Sequence, residues 1–316
     1  MINIKYISTY LPKTYLNEKN LKSKLGKNYK KIIQYICFKK IFFLSKKLEN
    51  KEFIFRSLKN FFKKNKINIK EIDSIIFSSH SRDTEMPIMA SAIQKKFELK
   101  KNILGYDLPN SCSGFTNGLI HAHSFIKSNT VKNVLLICCD FHSKKIGKNN
   151  YNLLPVIGDG LSCIYITKEN KNKFFCDFGI QGENSEILKI DKNQLVMNGM
   201  KVFEFAINVV PLTINRILKK YKEKSSSIDY VVLHQPNKNI NEHLIKKLPF
   251  LNKKFLINYN FGNLSSASIP ANISKNFPNR IIKNKSFLFV GFGSGLSWSS
   301  VILKLRNTKI ANIKFL

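Results

Sequence analysis

Residues 68–83, NIKEIDSIIFSSHSRD, and residues 224–239, KSSSIDYVVLHQPNKN, share one design: a polar lead, Ile-Asp, a short apolar run and a polar exit. A continuous apolar run bounded by turn residues is the pattern of a parallel strand buried on both faces. The likeness continues downstream in register. Ile103–Ser113 (ILGYDLPNSCS) is echoed by Leu256–Ser266 (LINYNFGNLSS), and Asn133–Cys138 (NVLLIC) by Ser286–Gly291 (SFLFVG). Three blocks in the same order, offset by about 150 residues, indicate an internal duplication. Each copy alternates strands with helical patterns. This predicts a layered α/β fold in two halves, residues 1–170 and 171–316, divided in the polar stretch KENKNK.

Helical spacing predicts helices over Met86–Phe97, Gly114–Lys127, Val202–Tyr221, Asn239–Lys247 and Ala267–Phe277, with a kink or break at Pro211. Residues 17–65 carry a Lys-rich helical pattern and the run CFKKIFFL, suited either to capping the mouth of a site or to packing on the outside.

The chain of 316 residues is 43% hydrophobic, enough for a sizeable core. Its net charge of +33 would ordinarily suggest nucleic acid or an anionic membrane. The lysines, however, are spread along the whole chain, arginine is scarce, and Asn and Ile are abundant. That is a compositional bias more than a basic groove, so no nucleic-acid partner is expected. An acidic protein or phosphorylated carrier suits the surface better. The six cysteines form no CxxC pair, and Cys138 and Cys139 should point to opposite faces of a strand, so reduced thiols and a cytoplasmic setting are expected. The N-terminal residues contain no signal-like apolar region, and no run of about 20 apolar residues follows, so neither targeting nor membrane insertion is expected.

Cys112, in NSCSGFTNG (110–118), follows a strand-like run and precedes a helix. A cysteine there is either a small buried hydrophobe or a nucleophile whose thiolate is favoured by the helix N-terminus. The echo of the first strand ends in LHQPN (233–237), and the echo of the cysteine loop contains Asn263. Related halves would therefore bring Cys112, His234 and Asn263 to strand ends on one side of the sheets. A glycine-rich loop, GFGSGLSW (291–298), follows the last core strand, where a backbone amide could complete an oxyanion hole with that of Cys112. His121 and His123 point apart on a helix and no HExxH pattern supports them, so no metal is expected.

These residues, together with STYLPKTYLNEKNL (8–21), DLPNSCSGFTNGL (107–119), VIGDGLSCIY (156–165), MNGMKVFEFAINVVP (197–211), GNLSSASIPANI (262–273) and GFGSGLSWSSVIL (291–303), resemble β-ketoacyl-acyl-carrier-protein synthase III of the thiolase superfamily. The resemblance implies an αβαβα sandwich of two pseudo-repeated halves and a homodimer. Cys112 would take an acyl group, its oxyanion held by the backbone amides of Cys112 and Ser294. His234 and Asn263 would bind a malonyl-carrier extender, whose decarboxylation gives a β-ketoacyl product in fatty-acid or related biosynthesis. Met86 would close the partner's acyl pocket, and Lys238, Lys246 and Lys247 would dock acyl carrier protein. Asp159 matches a structural turn. No cofactor is implied beyond an acyl-coenzyme A or acyl-carrier thioester as substrate. Where the family carries a Thr-Gly-Ile signature with the Trp and Arg that hold coenzyme A, this chain has KNYKKIIQYICFKK. Transfer of the acyl group to an alcohol, amine or thiol therefore stands as the alternative to condensation.

Overall fold

β-Branched and aromatic runs closed by Gly, Asn and Ser turns become strands here because both faces of each run find apolar partners. The computed structural model describes residues 1–316 except 82, 84, 85, 171 and 222–224, and omits the side chains of 148 and 149. The strands of the first half are β1 (Ile2–Leu11), β2 (Tyr15–Leu16), β3 (Ile41–Phe42), β4 (Ser74–Ser78), β5 (Leu104–Leu108), β6 (Asn133–Asp140) and β7 (Gly160–Lys168). Those of the second are β8 (Phe174–Ile180), the hairpin β9 (Leu188–Asp191) and β10 (Gln194–Met197), β11 (Tyr230–Leu233), β12 (Ile281–Ile282), β13 (Lys285–Gly293), β14 (Ser297–Leu305), β15 (Thr308–Ile310) and β16 (Lys314–Phe315). The helices are α1 (Glu18–Leu25), α2 (Tyr29–Ile36), α3 (Asn50–Asn65), α4 (Met89–Lys96), α5 (Gly114–Lys127), α6 (Gly199–Tyr221), α7 (Lys238–Lys247) and α8 (Ser268–Asn276).

The larger sheet runs β12-β15-β1-β7-β6-β4-β5 and the smaller β11-β13-β14-β8. The second repeats the first: β4 is parallel to β6 as β11 is to β13, and the next two neighbours in each sheet are antiparallel. Where β5 flanks β4, however, the smaller sheet has a single bridge, Val231 to Phe255. The echo LINYN thus does not continue as a strand. Asn258 turns its side chain onto the Asn260 amide (3.0 Å), pulling the backbone out of a ladder.

Helices α5 and α8 lie between the sheets, α3 and α4 cover the outer face of the larger sheet, and α6 and α7 cover that of the smaller. The result is the αβαβα sandwich. Alternate strand residues feed different cores: Ile76, Leu136 and Phe289 meet Phe115 and Leu119 of α5, while Ile75 and Leu135 face α3 and Leu288 and Val290 face α6. Cys138 and Cys139 divide in the same way, and all six cysteines are free thiols. Among the described residues no helix is long and apolar enough to cross a membrane.

Two helix expectations are corrected. The helix expected from Met86 begins at Met89, where Asp107 accepts the amides of Met89 (2.8 Å) and Ala90 (3.1 Å) as a cap. Of the kink or break expected at Pro211, the break is absent, since α6 is helical through it to Tyr221. Proline leaves the carbonyl four residues back without an amide. That carbonyl, of Ile207, accepts Lys247 Nζ at 3.0 Å from α7.

The first turn of α5 is wedged against both halves: a Cβ on Gly114 would lie 2.0 Å from Ser78 Oγ and 3.1 Å from Ser266 Cβ. Gly114→Ala should therefore destabilise the fold by about 1–3 kcal/mol, read as a lower urea midpoint at unchanged slope.

Candidate active site

Cys112 lies in the turn that leads from β5 into α5, closed by a hydrogen bond from Gly114 N–H to Ser111 O (2.9 Å). Its Sγ is 3.7 Å from Ser265 Oγ. The end of β13 presses on it from the other half, and a Cβ on Gly293 would stand 2.6 Å from Cys112 Cβ and 3.0 Å from Sγ. Only a glycine allows this approach, which is the physical content of the GFG run.

His234 follows β11, held by its amide to Val290 O (2.8 Å), and sets its ring edge-on to Phe292 at 5.4 Å. The ring is buried against the Ser265 backbone, and its Nδ1 has no hydrogen-bond partner. Asn263 is tied by its amide to Val156 O (2.8 Å) and by its carbonyl to the amide of Gly158 (2.9 Å). Its Oδ1 accepts the Ser265 amide (2.8 Å) and Ser268 Oγ (3.4 Å). An amide N–H requires an acceptor, so this end of the side chain must be the oxygen, leaving the Nδ2 group to donate elsewhere. Ser265 thus touches all three groups. It holds a left-handed φ of 51°, uncommon for a residue with a Cβ.

Burial dominates the electrostatics. It pushes the Cys112 thiol up to about 12, with the Asp140 charge acting in the same direction and the Ser265 hydroxyl opposing it. It pushes His234 down to about 3, against smaller opposing effects from the Ser265 backbone and Asp140. The thiolate expected from the helix N-terminus is therefore not the resting form. The site holds a neutral thiol and a neutral imidazole, because desolvation outweighs the helix end.

Cys112, Asn263, Ser265 and Ser294 line a cavity of about 530 Å³ whose other walls include Ile157, Ile180, Leu188, Leu195 and Met197. His234 is not among the residues on its wall, and its ring meets the backbone of Ser265, which is. Ser294 turns its carbonyl to Ser297 Oγ (2.8 Å). Helices α1 and α2 pack with Phe38, Val156, Ile157 and Leu195, so this part of the lysine-rich segment caps the cavity region, while α3 packs outside the larger sheet. The stretch that departs from the resemblance, residues 27–40, forms α2 and its flanks. Met86 lies away from the cavity with 87% of its surface exposed in the single chain, so it is not a core residue. Of the lysines expected to dock a carrier, Lys246 is exposed on α7, Lys238 is 3.7 Å from Glu242, and Lys247 is engaged by Ile207.

Asp159 is buried beneath the site, accepting the amides of Leu44 (2.7 Å) and Ser143 (3.0 Å). Burial raises its carboxyl to about 6. His121 Nδ1 meets Asn117 O at 2.8 Å and His123 stacks on Phe174 at 4.1 Å. Among the described residues no group of His, Cys, Asp and Glu could hold a metal. The sequence alone assigns no role to Ser265 or Asp140, and no partner to the cavity-lining His80 and His142. A double serine after Asn263 was the only local signal for the first. The others act through contacts remote in sequence.

Residues 106–183 match the family profile of 3-oxoacyl-(acyl-carrier-protein) synthase III, and residues 218–305 that of its C-terminal part. A β-ketoacyl-(acyl-carrier-protein) synthase III of Fusobacterium nucleatum is 32% identical over 259 residues, covering 76% of this chain and 79% of that protein. The chain belongs to the β-ketoacyl-acyl-carrier-protein synthase III family. Another member, from Staphylococcus haemolyticus, is 29% identical over 309 residues and spans 96% of this chain and 98% of its own. The crystal structure of a 3-oxoacyl-(acyl-carrier protein) synthase from Burkholderia xenovorans shares the fold with a TM-score of 0.93 at 21% identity, covering 100% of this chain and 97% of that one. The αβαβα architecture is thus the thiolase-type fold of the family.

A thiol pushed up to about 12 stays protonated through neutral pH. Because only the thiolate reacts, iodoacetamide labelling of Cys112 should rise about tenfold per pH unit from 7 to 9 without a plateau. Peptide mass spectrometry measures this, with the exposed Cys37 as reagent reference. A plateau near pH 7 would contradict the neutral pair.

Proposed function

We propose that this family member is a condensing enzyme that carries its acyl group on Cys112. The observation supporting this most directly is the meeting of Cys112, His234 and Asn263 around Ser265, beside one cavity. In the first step Sγ bonds to the carbonyl carbon of an acyl thioester, the C–S bond of the donor breaks, and the cysteine proton leaves with the departing thiol. The backbone amides of Cys112 and Ser294 would hold the oxyanion.

In the second step a malonyl thioester loses carbon dioxide, and its enolate oxygen is received by the Asn263 amide group and the neutral His234 ring. Two neutral donors stabilise an enolate without protonating it. The enolate carbon then bonds to the acyl carbonyl, the C–S bond to Cys112 breaks, and the thiolate takes a proton from water. The same neutrality weighs against acyl transfer to a heteroatom. An imidazole pushed down to about 3 is too weak a base to activate an alcohol or amine.

The reading includes an acyl carrier protein as partner, met on the α7 face by Lys238 and Lys246. A second copy of the chain would cover the exposed Met86, and no cofactor is needed beyond the thioesters.

Intact mass after incubation with an acyl thioester should show one adduct, lost in Cys112→Ala. Asn263→Ala should keep the adduct and lower carbon dioxide release from a malonyl thioester about 10²-fold, the usual cost of one such donor. Gly293→Ala, which displaces the sulfur, should slow acylation by a similar factor of about 10². Acylation without any malonyl decarboxylation in the unaltered protein would overturn condensation.

A further inference from the structure

The chemistry assigned to Cys112 leaves two imidazoles on its cavity wall unused, those of His80 and His142. His142 is more than nine-tenths buried. Its Nε2 lies 3.5 Å from Asp140 Oδ1 without a hydrogen-bond partner, and among the described residues Nδ1 has none either. Asp140 cannot swing to meet the ring. Its carboxylate is fixed by the His80 amide (2.8 Å), the Ser81 hydroxyl (3.4 Å) and the amide and hydroxyl of Ser266 (3.2 and 2.8 Å). A carboxylate facing one ring nitrogen favours the proton there, which leaves the other nitrogen as an acceptor. Nδ1 of His142 is therefore an unpaired acceptor on a wall that holds no carboxylate and whose apolar part is formed by Ile157, Ile180, Leu188, Ile190, Leu195 and Met197. What fits is a carbon chain bearing a hydrogen-bond donor.

We infer that the acyl group delivered to Cys112 carries a hydroxyl, received by His142, which makes His142 a specificity-determining residue. This rests on the reading of Cys112 as the acyl acceptor. The unpaired nitrogen of the buried His142 sets the substrate class, and the oxygen it receives is a donor, not a carboxylate.

The test is the rate of Cys112 adduct formation, by intact mass, from butyryl, 3-hydroxybutyryl and succinyl thioesters of one carrier thiol. The hydroxyacyl donor should outpace butyryl about tenfold, the worth of one hydrogen bond, with succinyl slowest. His142→Leu should erase or reverse that ratio, and His142→Gln, which keeps an acceptor oxygen, should restore part of it. Each ratio is taken within one protein, so partial unfolding cancels. Equal rates for butyryl and hydroxybutyryl, or a ratio untouched in His142→Leu, would overturn the inference while leaving the acyl-cysteine intact. Preference for succinyl would overturn it by showing that a cation of this wall, His142 or Lys189, selects the substrate. No adduct from any donor would instead remove the acyl-cysteine reading itself, and this inference with it.

Discussion

The buried carboxylate of Asp140 joins the two halves of the molecule at the point where the site is built. It stands at the end of β6 and accepts from the loop after β4 on one side, at the His80 amide, and from Ser266 of the second half on the other. A buried charge is tolerated only when its donors are all in place, and removing one leaves several kcal/mol uncompensated. The loop 262–266 is therefore locked in one position. With Ser266 fixed, Ser265 takes its left-handed conformation, its amide fixes the Asn263 side chain, and its hydroxyl and backbone reach Cys112 and His234. The site is less a set of three side chains than a loop held by one carboxylate.

This explains what could be read from the sequence and what could not. Ile76, Leu136 and Phe289 announce buried strands because each run is apolar on both faces, and the echo between halves places strand ends together before any coordinates exist. Helix α5 is bounded by its own glycine and periodicity, and its limits match the expectation. Features set by distant partners were illegible. Asp107, 18 residues on, caps the start of α4, and Lys247 of α7 donates to the carbonyl that Pro211 leaves without an amide in α6. The link between Asp140 and Ser266 spans 126 positions, and no local pattern encodes such a pair. The protonation state of Cys112 failed for the same reason, since the helix end is local and the burial that outweighs it is not.

The surplus of positive charge has a related local use. Lys144 Nζ caps Leu48 O (2.6 Å), Lys254 reaches the carbonyls of Ser225, Ser226 and Ile228, and Lys247 that of Ile207. Each supplies a donor to loop or helix carbonyls, of which Ser225 O also accepts the Ile228 amide, a role that arises wherever loops and helix ends occur. Lysines employed in this way scatter with the turns they serve and do not gather into a stripe. For these three lysines that agrees with the spread of lysine along the chain.

Neutrality at the centre of so basic a protein then has a chemical meaning. A thiolate–imidazolium pair would be a standing nucleophile, and the imidazole left once its proton departs with the leaving thiol would be a ready base, suited to activating water and to hydrolysing any acyl group left on the sulfur. Here desolvation by the apolar walls disfavours both charges, so in the proposed mechanism negative charge is met by oriented donors: the backbone amides of Cys112 and Ser294, the Nδ2 group of Asn263 and the ring of His234. These donors are fixed before substrate arrives, and preorganised dipoles in a low-dielectric cavity act without reorganising. An acyl-cysteine beside a His234 ring too weak as a base to activate water is set to wait for a carbanion generated next to it. The burial that made the helix-end argument fail for the resting thiol is thus what makes the same sulfur suited to hold an acyl group until an enolate forms.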